Sequence, residues 1–161
     1  MQPTQIYVIV DTSASFKADG KGSLMRNLVR SLMSAAAKDC YKNRKIRYFS
    51  WKDDLNEFFD ADEIKFSGRA DFKALVGAIN AAEDGARFLL FSDGLFGTDS
   101  VTSVTPILKN KKSILVPVEV GADADTYVLK NLAAPVKYCY QCVNELSALY
   151  DVCFRDFYSE A

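Results

Sequence analysis

The chain turns on Tyr7-Val-Ile-Val-Asp11-Thr-Ser13-Ala-Ser15 (YVIVDTSAS). A short apolar run ending in a carboxylate reads as a buried strand with Asp11 at its carboxyl end. Ser13 and Ser15 follow at every second position, and alternate residues of an extended segment share a face. Asp11, Ser13 and Ser15 can therefore aim three oxygen donors at one point. Hard oxygens converging at a strand end suit a small hard cation, Mg²⁺ or Mn²⁺.

Outward from this stretch, strand and helix patterns alternate. A polar loop, Phe16 to Gly22, leads to a helix from Leu24 to about Cys40, with Leu24, Leu28 and Leu32 on one face and Ser23 as its expected cap. Ile46–Trp51 and Leu55–Phe59 read as strands of a hairpin. Asp71 is placed to cap a helix from Phe72 to about Ala82, which Gly85 stops. Arg87–Phe91 (RFLLF) is a second buried strand, ended by Ser92-Asp93-Gly94. A helix is expected from Asp99 or Thr105 to Asn110. Ser113–Val118 follows as a strand whose Pro117 points to an edge or late position. Thr126–Leu132 reads as a short helix, Val136–Tyr140 as the last strand, and Asn144 onward as the last helix.

This alternation predicts an α/β fold in three layers: a doubly wound, Rossmann-like, mainly parallel sheet of about six strands with helices on both faces. Right-handed crossovers put the loops after parallel strands on one edge of the sheet. If the first strand and Arg87–Phe91 flank the order reversal, Asp11 and Asp93 face each other across a crevice. The segment Phe66-Ser67-Gly-Arg-Ala70-Asp71 closes its third side. The candidate metal residues are thus Asp11, Ser13, Ser15 and Asp93.

Composition narrows the chemistry. The 161 residues fit one domain spanning 1–161. With 49% hydrophobic and 25% charged residues, the chain is ordinary for a globular protein. A net charge of −1 gives no field that would draw nucleic acid or an anionic membrane. No run approaches the roughly 18 apolar residues of a membrane span, and MQPTQ is not the start of a signal peptide; a cytoplasmic location is expected. There is no histidine, which removes Ser-His-Asp, Cys-His and His-ligated metal chemistry. No enzymatic activity is expected. Cys139 and Cys142 have C-x-x-C spacing, but no second ligand pair accompanies them, and they read as reduced, semi-buried residues.

The three segments together resemble von Willebrand factor A domains. Asp11-Thr-Ser13-Ala-Ser15 matches the D-x-S-x-S motif that builds the family's metal ion-dependent adhesion site. Phe88-Leu-Leu-Phe-Ser-Asp93-Gly94 resembles its later strand ending in T-D-G or S-D-G. Gly68-Arg-Ala70-Asp71-Phe72 resembles its intervening G-G-T-D-F loop. The resemblance implies a Mg²⁺ or Mn²⁺ site and a protein partner that offers a carboxylate to the ion. It is closest in kind to bacterial intracellular forms of tellurium-resistance and stress systems, whose partners include AAA-type ATPases. Two positions depart: Ala70 stands where the family has a metal-binding threonine, and Phe16 where many bacterial members have methionine. With Ala70 at that position, the resemblance implies Ser67 and Asp71 as further contributors to the metal site, and leaves open a weaker site or a metal-free scaffold of the same fold. A phosphohydrolase of the haloacid dehalogenase kind also places an aspartate after its first strand, but carries a second aspartate where this chain has Ser13.

Overall fold

A computed structural model describes residues 4–18, 20–95, 104–133, 136 and 138–158. Among these residues six strands form one sheet: β1 (Thr4–Asp11), β2 (Arg44–Trp51), β3 (Leu55–Phe58), β4 (Arg87–Ser92), β5 (Ile114–Glu119) and β6 (Tyr140–Gln141). Their order is β3-β2-β1-β4-β5-β6, and all neighbours are parallel except the β2–β3 hairpin. The order reverses between β1 and β4. Their register sets Val10 beside Phe91, so both strands end together at this crevice.

Among the described residues five helices cover the sheet: α1 (Lys21–Ala36), α2 (Phe72–Ala81), α3 (Val104–Lys111), α4 (Thr126–Leu132) and α5 (Glu145–Phe154). Side chains alternate along the central strands, which gives the sheet two apolar faces. Ile6, Val8 and Val10 of β1 pack with Met25, Leu28, Val29 and Leu32 of α1 and with Ala148, Leu149 and Val152 of α5. Ile9 joins the opposite cluster with Leu75 and Ile79 of α2, Leu108 of α3 and Leu129 of α4. Burying one such side chain contributes about 1.5–3 kcal/mol, so both faces are firmly covered. Among the described residues no helix is long and apolar enough to cross a membrane.

The three-layer, doubly wound α/β architecture is as expected, with local differences. Gly20 takes the left-handed conformation (φ 73°) and starts α1 at Lys21, so Ser23 lies inside the helix and does not cap it. The last strand is described at Tyr140–Gln141, later than the expected Val136–Tyr140, of which Lys137 lies outside the described residues. Among the described residues it pairs with Val118 and Glu119 and not with Pro117 of β5. A helix start at Asp99 lies outside the described residues; α3 is described from Val104.

Candidate functional site

The site is built at the β1–β4 crevice. Asp11 and Asp93 follow one another across it, each only 1% exposed. Asp11 Oδ1 accepts from the Ser13 amide at 3.0 Å, which turns the chain back on itself after β1. Asp11 Oδ2 accepts from the Ser92 hydroxyl at 2.7 Å. Ser92 Oγ in turn accepts from the Gly94 amide at 3.0 Å, so the ends of both strands are tied through one hydroxyl. Gly94 is required here. Its φ is 72°, and a Cβ would stand 2.8 Å from the Asp125 carbonyl oxygen.

The two hydroxyls of the loop after β1 meet. Ser13 Oγ and Ser15 Oγ are 3.0 Å apart. Ser15 donates to Asp93 Oδ2 at 2.6 Å, and the Leu95 amide donates to Asp93 Oδ1 at 3.1 Å. Asp11, Ser13, Ser15, Gly68, Ala70 and Leu95 line a cavity of about 220 Å³. Arg69 lies on its rim and also lines a neighbouring cavity of about 650 Å³ bordered by Lys52 and Lys73.

The structure brings Asp11, Ser13, Ser15 and Asp93 together, but not Ser67 or Asp71. The Ser67 hydroxyl accepts from Lys52 Nζ at 2.8 Å, in the neighbouring cavity. Asp71 is the cap of α2, where its carboxylate accepts from the Lys73 amide at 2.9 Å. Their loop contributes backbone instead: the Ser67 amide donates to the Thr12 carbonyl at 3.0 Å, and the Gly68 carbonyl accepts from the Ala14 amide at 2.9 Å. Ala70 brings a methyl to the cavity wall.

Lys21 was not expected. It is the first residue of α1, yet it is only 5% exposed. Its ammonium lies 2.9 Å from Asp93 Oδ2 and 2.9 Å from Asp123 Oδ1. Burial works against that charge, but the hydrogen bonds and charges of Asp93 and Asp123 outweigh it, and the Lys21 pKa rises. Asp123 is held low by its bond to Lys21. Asp11 behaves differently. Burial pushes its pKa up to about 6, against the pull of the Ser92 and Ser13 hydrogen bonds.

Among the described residues no group of three or more His, Cys, Asp and Glu is placed to hold a metal. A cation at the crevice would therefore depend on the serine hydroxyls. Their spacing fits: neighbouring oxygens on an octahedral Mg²⁺ with bonds of about 2.1 Å stand roughly 3 Å apart. Asp11 is a buried carboxylate whose ionisation a cation would favour. Asp93, already engaged by Ser15, Leu95 and Lys21, is placed to orient the hydroxyl of Ser15. The donor set fits a hard divalent ion with one directly available carboxylate. Elsewhere, Asp60 caps the turn Ala61–Glu63 and Asp62 pairs with Arg30, so both carboxylates have structural work. Cys139 and Cys142 are free, and burial pushes the Cys139 thiol up to about 12, the opposite of what a thiolate ligand needs.

No protein-family model matches the chain, and no curated protein is significantly similar to it in sequence. Solved structures are similar in fold. Proximal thread matrix protein 1 from the mussel byssus superposes with a TM-score of 0.67 at 16% identity, over 93% of this chain and 44% of that one. A von Willebrand factor type A structure from Catenulispora acidiphila gives 0.60 at 10% identity, over 82% and 36%. Manganese-loaded TRAP of Plasmodium vivax gives 0.63 at 15% identity, over 92% and 72%. The mussel protein has also been solved with a zinc-occupied MIDAS motif. The chain thus has the von Willebrand factor A fold, and it spans less than half the length of the mussel protein.

Proposed function

We propose that this domain is a metal ion-dependent protein-interaction module that binds an acidic residue of a partner protein at the crevice. The observation that carries the reading is the convergence of Asp11, Ser13 and Ser15 on one small cavity, with Asp93 held to Ser15 behind it. Mg²⁺ or Mn²⁺ bound there would keep net positive charge and an exchangeable position for a carboxylate. The chain's own groups fit that task. Ser13 and Ser15 are neutral donors and leave the ion's charge largely intact. Asp11 supplies one charge, and Lys21 offsets that of Asp93. Arg69, Lys52 and Lys73 line the neighbouring cavity together with Asp53 and Asp71, which leaves a small positive excess toward an approaching acidic segment. The metal-bound mussel and Plasmodium neighbours support the metal part of the reading by analogy of fold.

The reading includes no catalysis. The chain has no histidine to serve as a base, and Ser13 stands where a phosphohydrolase of the haloacid dehalogenase kind has its second aspartate. A cytoplasmic stress-system role, with an AAA-type ATPase as partner, is the form suggested by the bacterial members that the motifs resemble. One observation favours a second reading, a metal-free scaffold: Lys21 already places a cation on Asp93, and Ala70 offers no hydroxyl.

Thermal unfolding separates the two. Wild type is expected to melt higher in millimolar Mn²⁺ or Mg²⁺ than in EDTA, because a ligand of the folded state raises its stability. Asp11→Ala is expected to show no difference. A wild type indifferent to both ions would leave the scaffold reading. With a partner in hand, substitution of its acidic residues one at a time is expected to find one whose loss abolishes metal-dependent binding. If all were dispensable, the bridging role would be wrong.

A further inference from the structure

Lys21 occupies a slot shaped for it. Its ammonium stands 5.1 Å from the centre of the Phe16 ring, a cation–π distance. Its aliphatic stem passes Gly121, where φ is 101° and a Cβ would stand 2.9 Å from Lys21 Cε. The loop between β5 and α4 thus leaves room for the stem and supplies Asp123 to the head. Asp93 Oδ2 accepts from both Lys21 Nζ at 2.9 Å and Ser15 Oγ at 2.6 Å. The lysine and the D-x-S-x-S loop hold the same oxygen.

From this shared oxygen we infer that Lys21 is a built-in counter-cation of the crevice, which lowers its affinity for a divalent ion and couples filling of the site to arrival of an acidic partner. The inference rests on the metal-binding reading above. Two effects act in the same direction. A fixed ammonium and an added cation repel through a poorly screened, buried region. The stabilisation that Asp93 would give the ion is already taken by Lys21. An anionic group from a partner restores the balance of charge, so ion and partner raise each other's affinity by the same factor. Asp123, with 58% of its side chain exposed, tempers the lysine from the solvent side.

The test is calorimetric titration with Mn²⁺ of wild type, Lys21→Met, Lys21→Arg and Asp123→Asn. Lys21→Met is expected to bind about tenfold tighter or more, since a change of about 1.4 kcal/mol is tenfold and buried charges interact by at least that much. Lys21→Arg keeps the charge and should stay within about threefold of wild type by the same reasoning. Asp123→Asn leaves the lysine less tempered and should bind several-fold weaker. If Lys21 were only structural, Lys21→Met would lose metal affinity together with stability, and that result overturns the inference. So does a folded Lys21→Met with wild-type affinity. Should Lys21→Met fail to fold, Asp123→Asn decides, and unchanged or tighter binding there overturns the inference. Binding by Lys21→Met but not by wild type supports it in its strongest form. Absence of binding in wild type and in every folded variant overturns both the inference and the metal reading.

Discussion

Asp11 and Asp93 end neighbouring central strands, are equally buried, and stand on opposite walls of one crevice. Their surroundings differ. Asp11 accepts from a serine hydroxyl and a backbone amide, both neutral. Asp93 accepts from an ammonium as well as a hydroxyl and an amide. A buried carboxylate among neutral groups is held against its own desolvation, and the Asp11 pKa rises to about 6. The two halves of the site are therefore not equivalent. Asp11 is the half that an added cation would relieve, and Asp93 is the half already balanced from within.

The largest effect should come from unbalancing Asp93. Lys21→Met leaves a buried carboxylate without its cation, and breaking such a pair costs about 3–5 kcal/mol. Urea unfolding in EDTA checks this, and a loss below about 1 kcal/mol would mean that the pair is solvated like a surface salt bridge.

The opposite change is expected at Asp11. Its folded-state pKa lies above the ordinary value of 3.8, so the folded state binds its proton more tightly. Metal-free stability should therefore fall as pH rises through about 4 to 6, from this group. A shift of two units corresponds to roughly 3 kcal/mol, and Asp11→Asn should recover on the order of 2 kcal/mol at pH 7 in EDTA. Destabilisation by Asp11→Asn would show that the carboxylate is held by its hydrogen bonds and not strained by burial.

Between the two carboxylates, Gly94 fixes the turn after β4. Gly94→Ala must adopt a left-handed backbone and push against the Asp125 carbonyl, and a loss of about 1–3 kcal/mol is expected in denaturant unfolding. The smallest effect concerns the third wall. Ala70→Thr adds a hydroxyl to the cavity, and a several-fold tighter Mn²⁺ affinity with little change in metal-free melting would sharpen the contrast between the Asp11 side and its neighbours.

The fold was legible because its decisive strands are short apolar runs ending in Asp11 and Asp93, and both signals are local. The pairing of those carboxylates also followed from sequence, since an order reversal makes two strand ends meet. Lys21 was not legible. In Phe16-Lys-Ala-Asp-Gly-Lys21-Gly it resembles any solvated lysine in a polar loop, and its burial depends on Gly121 and Asp123, a hundred residues away. Ser67 and Asp71 illustrate the reverse. The loop carrying them reaches the site, but its backbone makes the contacts, while Asp71 is drawn to the unsatisfied amides at the start of α2. Nothing in the order of residues distinguishes a carboxylate that caps from one that ligates. The helix start at Lys21 likewise turned on the left-handed Gly20, a stronger signal than the hydroxyl of Ser23.

In the metal-binding reading, Asp11 is the carboxylate that receives the cation. Mn²⁺ affinity measured at pH 7.5 and pH 5, in wild type and Asp11→Asn, tests it most directly. With a proton held at a pKa of about 6, wild-type affinity should fall roughly tenfold at the lower pH, because the ion must displace that proton, and Asp11→Asn should not bind measurably at either pH. Wild-type affinity in Asp11→Asn, or an affinity indifferent to pH across this range, would contradict the account.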